Sequence, residues 1–152
     1  MNFNISKEMR RYNYLIGELE AAYHEMSLKL HISDSAMKII YTICDQGEKD
    51  RCLLQKICRL SGLSKQTANS SIRKLESEGI VYLEHVGGKN KNVCLTEKGK
   101  VFAEHTALKM IEAENDILTS WPEEDVMKYL ELTERFLAGL KKKTEELREE
   151  TS

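Results

Sequence analysis

Between Lys65 and Lys74 the sequence places Lys65, Gln66, Thr67, Asn69, Ser70, Arg73 and Lys74, within the longer stretch LSGLSKQTANSSIRKLESEGI (Leu60–Ile80). The primary amides of Gln66 and Asn69 can each offer a donor and an acceptor to an adenine edge, and Thr67 can touch a thymine methyl or a phosphate. Lys65, Arg73 and Lys74 suit phosphate oxygens, contacts that fix register and add salt-dependent affinity. Ala68, Ile72 and Leu75 recur at steps of four and three, so one helical face turns inward and the polar set falls on the outer faces. Ser64 is the natural N-cap of that helix. A plain solvated face would favour Glu/Lys pairs over this Gln/Thr/Asn/Ser cluster, so DNA contact is the expected role of Ser64, Lys65, Gln66, Thr67, Asn69, Ser70, Arg73 and Lys74.

Other chemistries find less support. No nucleophile stands beside a paired base, no carboxylate dyad sits in an apolar context, and Gly87-Gly88 suits a hairpin and forms no phosphate loop. The chain is therefore not expected to be an enzyme or to carry a cofactor. His24, His31, His85 and His105 form no ligand pair, and Cys44, Cys52, Cys58 and Cys94 include no C-x-x-C, so no metal site is expected. The cysteines read as reduced thiols packed as small hydrophobes. A redox role would fall to Cys44 and Cys52, which flank the loop after the second helix.

The elements that must position the polar face follow from periodicity. Ile5, Met9, Tyr12, Ile16, Leu19, Tyr23, Met26 and Leu30 form a heptad-like stripe, predicting a long amphipathic helix that needs a helical partner in this chain or in a second copy. A second helix is expected after the N-cap Ser33, burying Met37, Ile40, Tyr41 and Cys44 and ending at Gly47. Glu48–Arg51 reads as a polar connection, and Leu53, Leu54, Ile57 and Cys58 suggest a short third helix stopped at Ser61-Gly62. The helix after Ser64 ends at Gly79. IVYLEHV (Ile80–Val86) and KNVCL (Lys91–Leu95) are strand-forming runs around GGKN (Gly87–Asn90), a hairpin with a slightly long, basic tip. Thr96 is expected to cap one helix running to about Thr119. SWPE (Ser120–Glu123) reads as a capping box before a last helix with Val126, Leu130, Leu137 and Leu140 inward and a polar tail, Lys141–Glu150, prone to fray.

At 152 residues, with 32% charged and 41% hydrophobic residues and one proline, the chain is one helix-rich domain long. Its net charge of −2 hides an asymmetry: residues 51–100 carry ten basic and four acidic side chains, between acidic flanks. A basic middle third is the distribution expected of a nucleic-acid surface. MNFNISKEMRRYNY has no apolar leader core, and no apolar run approaches the roughly 18 residues of a membrane span, so a cytoplasmic location is expected.

Helix, glycine turn, helix, then a basic hairpin is the order of a winged helix-turn-helix: Cys58 fits the small slot, Gly62 and Leu63 the turn, and Ala68 the packing position. Over nearly its whole length the chain resembles the MarR family of bacterial transcriptional regulators, most specifically in ISDSAMKII (Ile32–Ile40), KLESEGIV (Lys74–Val81) and LTEKGK (Leu95–Lys100). The resemblance implies a mainly α fold with a small β-hairpin wing. Residues 1–32 and 96–152 would form the dimerisation helices and 33–95 the DNA-binding region of one intertwined domain. It also implies a homodimer, more a repressor than an activator, with two recognition helices about one turn, roughly 34–36 Å, apart on pseudo-palindromic DNA.

Two departures stand out. The family's wing often carries an Asp-x-Arg element; here VGGKNKN (Val86–Asn92) leaves Lys89, Asn90 and Lys91 to make the wing contact, with a double glycine that should loosen the tip. Ser71 and Ser61 stand where apolar residues are more usual, so weaker or more ligand-sensitive DNA binding is expected. Many relatives release DNA when a small aromatic or phenolic effector binds between winged helix and dimer helices, which would make Tyr12, Tyr23, Met26, Met37 and Tyr41 the candidate pocket lining. The family's peroxide sensors carry their cysteine in the first helix, where this chain has none. The competing reading is a winged-helix module that binds a protein and has little DNA affinity.

Overall fold

The structure, a computed structural model, describes residues 3–46 and 48–151, without the side chains of 148–151. The chain forms α1 (Lys7–Lys29), α2 (Asp34–Gln46), β1 (Arg51–Leu53), α3 (Leu54–Ser61), α4 (Lys65–Ser77), β2 (Val81–Gly87) and β3 (Asn90–Leu95). It continues through α5 (Glu97–Glu104), α6 (Ala107–Thr119) and α7 (Glu123–Thr151). Two compact units divide it, residues 1–111 and 112–152. No helix among the described residues is long and apolar enough to cross a membrane.

Local chemistry sets most boundaries in the first unit. The hydroxyls of Ser6, Ser33, Ser64 and Thr96 accept the N–H of Met9, Ala36, Thr67 and Gly99, capping α1, α2, α4 and α5. Gly62 and Gly79 end α3 and α4 with left-handed φ of 73° and 74°, which a residue with a Cβ adopts only under strain. The stop expected at Gly47 lies outside the described residues. The core gathers Met37, Ile39, Ile40 and Ile43 of α2, Ile57 of α3, Ile72 and Leu75 of α4, and Val81, Val93 and Leu95 of the sheet, closed by Ala103, Ala107 and Met110. Ile39 and Ile43, fully buried, are inward positions beyond the four expected; α2 is covered over a wider arc than one stripe.

Several expectations are corrected. Glu48–Arg51 is not merely a connection: Arg51 opens a third strand, and the antiparallel sheet has the order β1-β3-β2, with Arg51 opposite Cys94 and Leu53 opposite Asn92. The wing tip is shorter than expected, since β2 runs to Gly87 and β3 starts at Asn90, leaving Gly88 and Lys89 as the turn. The helix after Thr96 is two helices. His105 ends α5, and the Thr106 hydroxyl donates to the Phe102 carbonyl at 2.7 Å while His105 Nδ1 lies 2.8 Å from the Val101 oxygen. Such side-chain bonds compete with the helical ladder, and no Gly or Pro announces them.

In the second unit the Ser120 hydroxyl donates back to the Ile117 carbonyl and does not form the capping box; the Pro122 carbonyl accepts the N–H groups of Asp125 and Val126 in the first turn of α7. That helix is continuous through Thr151. Trp121 meets Tyr129 edge to face at 5.6 Å. Val126 is half-buried, but Leu130, Leu137 and Leu140, expected inward, are exposed in the single chain. The α1 stripe is similarly open: Met9, Ile16 and Met26 are half-buried, whereas Ile5, Tyr12, Leu19 and Tyr23 are exposed, Tyr12 by 41%.

Candidate nucleic-acid interface

The polar face is built on α4, whose placement begins at the turn before it. Gly62 reverses the chain after α3, and Ser61 Oγ accepts the Leu63 N–H at 3.2 Å, stiffening the corner. Ser64 Oγ then accepts the Thr67 N–H at 3.1 Å and donates to Thr67 Oγ1 at 2.9 Å. Ala68, Ile72 and Leu75 are buried, Ile72 and Leu75 in the core shared with α2 and the sheet, fixing the rotation of the helix about its axis.

The opposite side is open. Ser64, Lys65, Gln66, Thr67, Ser70, Arg73 and Lys74 are exposed, and Asn69 is half-buried at the edge. Among the described residues, Lys65, Arg73 and Lys74 enter no ion pair. Unneutralised cations on a rigid, capped helix can meet phosphates without first breaking an internal partner. Ser71 is half-buried and accepts a hydrogen bond from Ser35 Oγ of α2 at 3.2 Å, so the hydroxyl that departs from the apolar pattern has a partner on the next helix.

The hairpin supplies the second part of the surface. A bulge between His85 and Gly87 bends β2, and Gly87 and Gly88 take φ of 123° and 57°. Lys89 and Asn90 are exposed and Lys91 is half-buried.

A charged network spans the base of this hairpin and was not foreseen. Arg51 Nε donates to Asp50 at 3.1 Å, and Arg51 Nη1 donates to both carboxylate oxygens of Glu84, at 2.9 and 3.1 Å. Asn92 Nδ2 donates to Glu84 at 3.2 Å, while Lys100 of α5 lies 3.4 Å from Asp50 and 2.8 Å from Glu97. The Arg51 guanidinium, helped by Lys100, holds the Asp50 carboxyl below the usual carboxylate range. The available signal was a lone acid, Glu84, in an otherwise basic hairpin.

The remaining candidates are dispersed. Met37 belongs to the core, Met26 and Tyr41 pack at its edge, and Tyr12 and Tyr23 are exposed on α1. An apolar groove of about 380 Å³ lies elsewhere, lined by Leu118, Trp121, Val126 and Met127 among others. Burial pushes the Cys44 and Cys52 thiols above their ordinary value, the reverse of what a sensing thiolate requires. No group of three metal-ligating side chains occurs among the described residues.

No family model and no curated protein sequence matches the chain. Its likeness is to solved structures. A MarR-family regulator from Neisseria meningitidis superposes with a TM-score of 0.75 at 16% identity, covering 91% of this chain and 96% of that one. MepR from S. aureus, solved with DNA, gives 0.68 at 14% identity over 90% and 99% of the two chains. NadR, solved with 4-hydroxyphenylacetate, gives 0.65 at 16% identity over 92% and 95%. At such identities the likeness is one of fold, and the fold is the winged helix-turn-helix of the MarR-family transcriptional regulators.

Proposed function

We propose that this protein is a cytoplasmic transcriptional regulator, a repressor, that binds a pseudo-palindromic double-stranded DNA operator as a homodimer. One observation carries the reading. A capped helix with one face locked in the core exposes Gln66, Thr67 and Ser70 beside Lys65, Arg73 and Lys74, which have no ion pair among the described residues, with a Lys89-tipped hairpin in the same unit. Gln66 and Asn69 would read base edges, the lysines and arginine would hold phosphates, and Lys89, Asn90 and Lys91 would reach the neighbouring backbone or minor groove.

The division of labour follows. Residues 33–95 bind DNA, and residues 1–32 and 96–152 join two copies. Support for the second copy comes from the exposed apolar side chains of α1 (Leu15, Leu19, Tyr23) and α7 (Leu130, Leu137, Leu140), which solitary helices in water do not hold open. A small aromatic or phenolic effector, of the kind bound in the NadR structure, would loosen the DNA grip, with Tyr12, Tyr23, Met26, Met37 and Tyr41 the side chains to test.

The experiment is selection of bound fragments from genomic DNA by the purified protein at about 0.15 M salt. An enriched inverted repeat with half-sites about one helical turn apart is the expected result. A folded dimer that enriches nothing would overturn the reading in favour of a protein-binding module.

A further inference from the structure

Among the described residues no side-chain hydrogen bond or ion pair anchors the wing at its tip, where Gly87 and Gly88 both take positive φ, yet lower down the hairpin is crossed by a strap. In the order β1-β3-β2, Arg51 and Glu84 belong to the two outer strands. Arg51 pairs in register with Cys94, and Glu84 with Asn92, two residues along the middle strand on the same face. The Arg51 side chain therefore reaches diagonally over β3 to the Glu84 carboxylate, and Asn92, opposite Glu84 on β3, donates to that carboxylate as well. At the other end Asp50 grips the same guanidinium and is held in turn by Lys100 of α5. The hairpin is thus tied to the segment that precedes α3 and to the helix that follows the wing.

We propose that Arg51 and Glu84 are the positioning residues of the wing, setting the angle at which Lys89 and Lys91 meet DNA. The inference rests on the DNA-binding reading above. Its logic is entropic: a lysine on a swinging hairpin must lose that freedom on binding, whereas one on a strapped hairpin has already lost it. Glu84 acts through the lysines and touches no nucleic acid itself.

This assigns an unusual sign to one substitution. Removing a carboxylate from a DNA-facing surface ordinarily strengthens binding by relieving repulsion. If Glu84 holds the wing, E84A weakens it. The test uses the full chain with the fragment enriched by the selection above, comparing wild type, E84A, the isosteric E84Q, K89A/K91A and K89A/K91A combined with E84A. The expected result is a loss of about tenfold for E84A and E84Q, a shallower salt dependence, and little further loss when E84A joins K89A/K91A, because the strap acts chiefly through those lysines, with Asn90 the one wing contact left. Hydrogen exchange without DNA is measured in parallel; amides of residues 81–95 should exchange faster in E84A and E84Q while those of α2 do not. Unchanged or tighter DNA binding by E84A, additivity with K89A/K91A, or unaltered wing exchange overturns the proposal. A wild-type protein that binds no DNA refutes the functional reading instead, and the exchange data then still decide whether the strap holds the wing.

Discussion

Gly99 tests the junction from which both α4 and the wing are hung. A Cβ placed there would lie 2.0 Å from the Ile80 carbonyl oxygen, 3.0 Å from its carbon and 3.3 Å from Thr96 Oγ1. Carbon and oxygen rest at about 3.3 Å or more, so G99A must drive backbone and side chain apart by more than about 1 Å. The Ile80 oxygen has little room to yield. It accepts the Thr96 N–H at 3.0 Å and lies 3.2 Å from the Thr96 hydroxyl, which donates to the neighbouring Gly79 carbonyl at 2.6 Å and accepts the Gly99 N–H at 2.8 Å to cap α5. Loss of the backbone bond and of the cap costs about 1 kcal/mol each. Overpacking adds about 1–3 kcal/mol, and the better helix propensity of alanine returns up to about 1 kcal/mol. The net expectation is a destabilisation of about 2–5 kcal/mol, read as a lower urea midpoint at fixed protein concentration, with the melting temperature down by roughly 4–20 °C. A midpoint equal to or above that of the wild type would refute the reasoning, since helix propensity would then have outweighed a clash the structure makes unavoidable.

Further expectations follow from other contacts. R73A/K74A should weaken DNA binding about equally across sequences and reduce the salt slope by up to about 3.5 for the four cations lost per dimer; a slope unchanged in a salt titration would remove both residues from the phosphate set. S71A should cost about 1 kcal/mol by leaving Ser35 without its partner, and S35A/S71A should recover part of that; a denaturation cycle with no coupling would show the 3.2 Å bond to be idle. Burial raises the Cys44, Cys52 and Cys94 thiols above their ordinary value, so the unfolded chain, with thiols at about 8.5, loses these protons first. Stability from this source is therefore full below about pH 8.5 and falls as pH rises beyond it, which urea midpoints between pH 7 and 10 would show. Rapid alkylation of Cys44 or Cys52 in the folded protein at pH 7 would contradict this and reopen the redox reading.

Where a residue's role is settled by its near neighbours in the chain, the sequence was readable. Ser33, Ser64 and Thr96 announced their caps, Gly62 and Gly79 their stops, and Ala68, Ile72 and Leu75 the buried face that leaves the polar one outside. What escaped depends on distant partners. A three-residue strand has no period to detect, and Arg51 finds Glu84 across 33 positions of sequence. The break at His105 arises from side-chain bonds to carbonyls that residue type alone does not disclose. The apolar positions of α7 carry a helical period whether a chain covers them itself or leaves them for another, which is why Leu137 and Leu140 were legible as apolar face and not as exposed.

The shortness of β1 has a kinetic consequence. The turn at Gly88 and Lys89 can form quickly, but β1 can join β3 only after the chain between Leu53 and Asn92 has closed into a loop. Three residues return little for that closure, so this pairing belongs to the late stages of folding and is the first part of the sheet to part. Weakening β1 should then leave the refolding limb of a chevron nearly unmoved and steepen only the rate of escape from the native state.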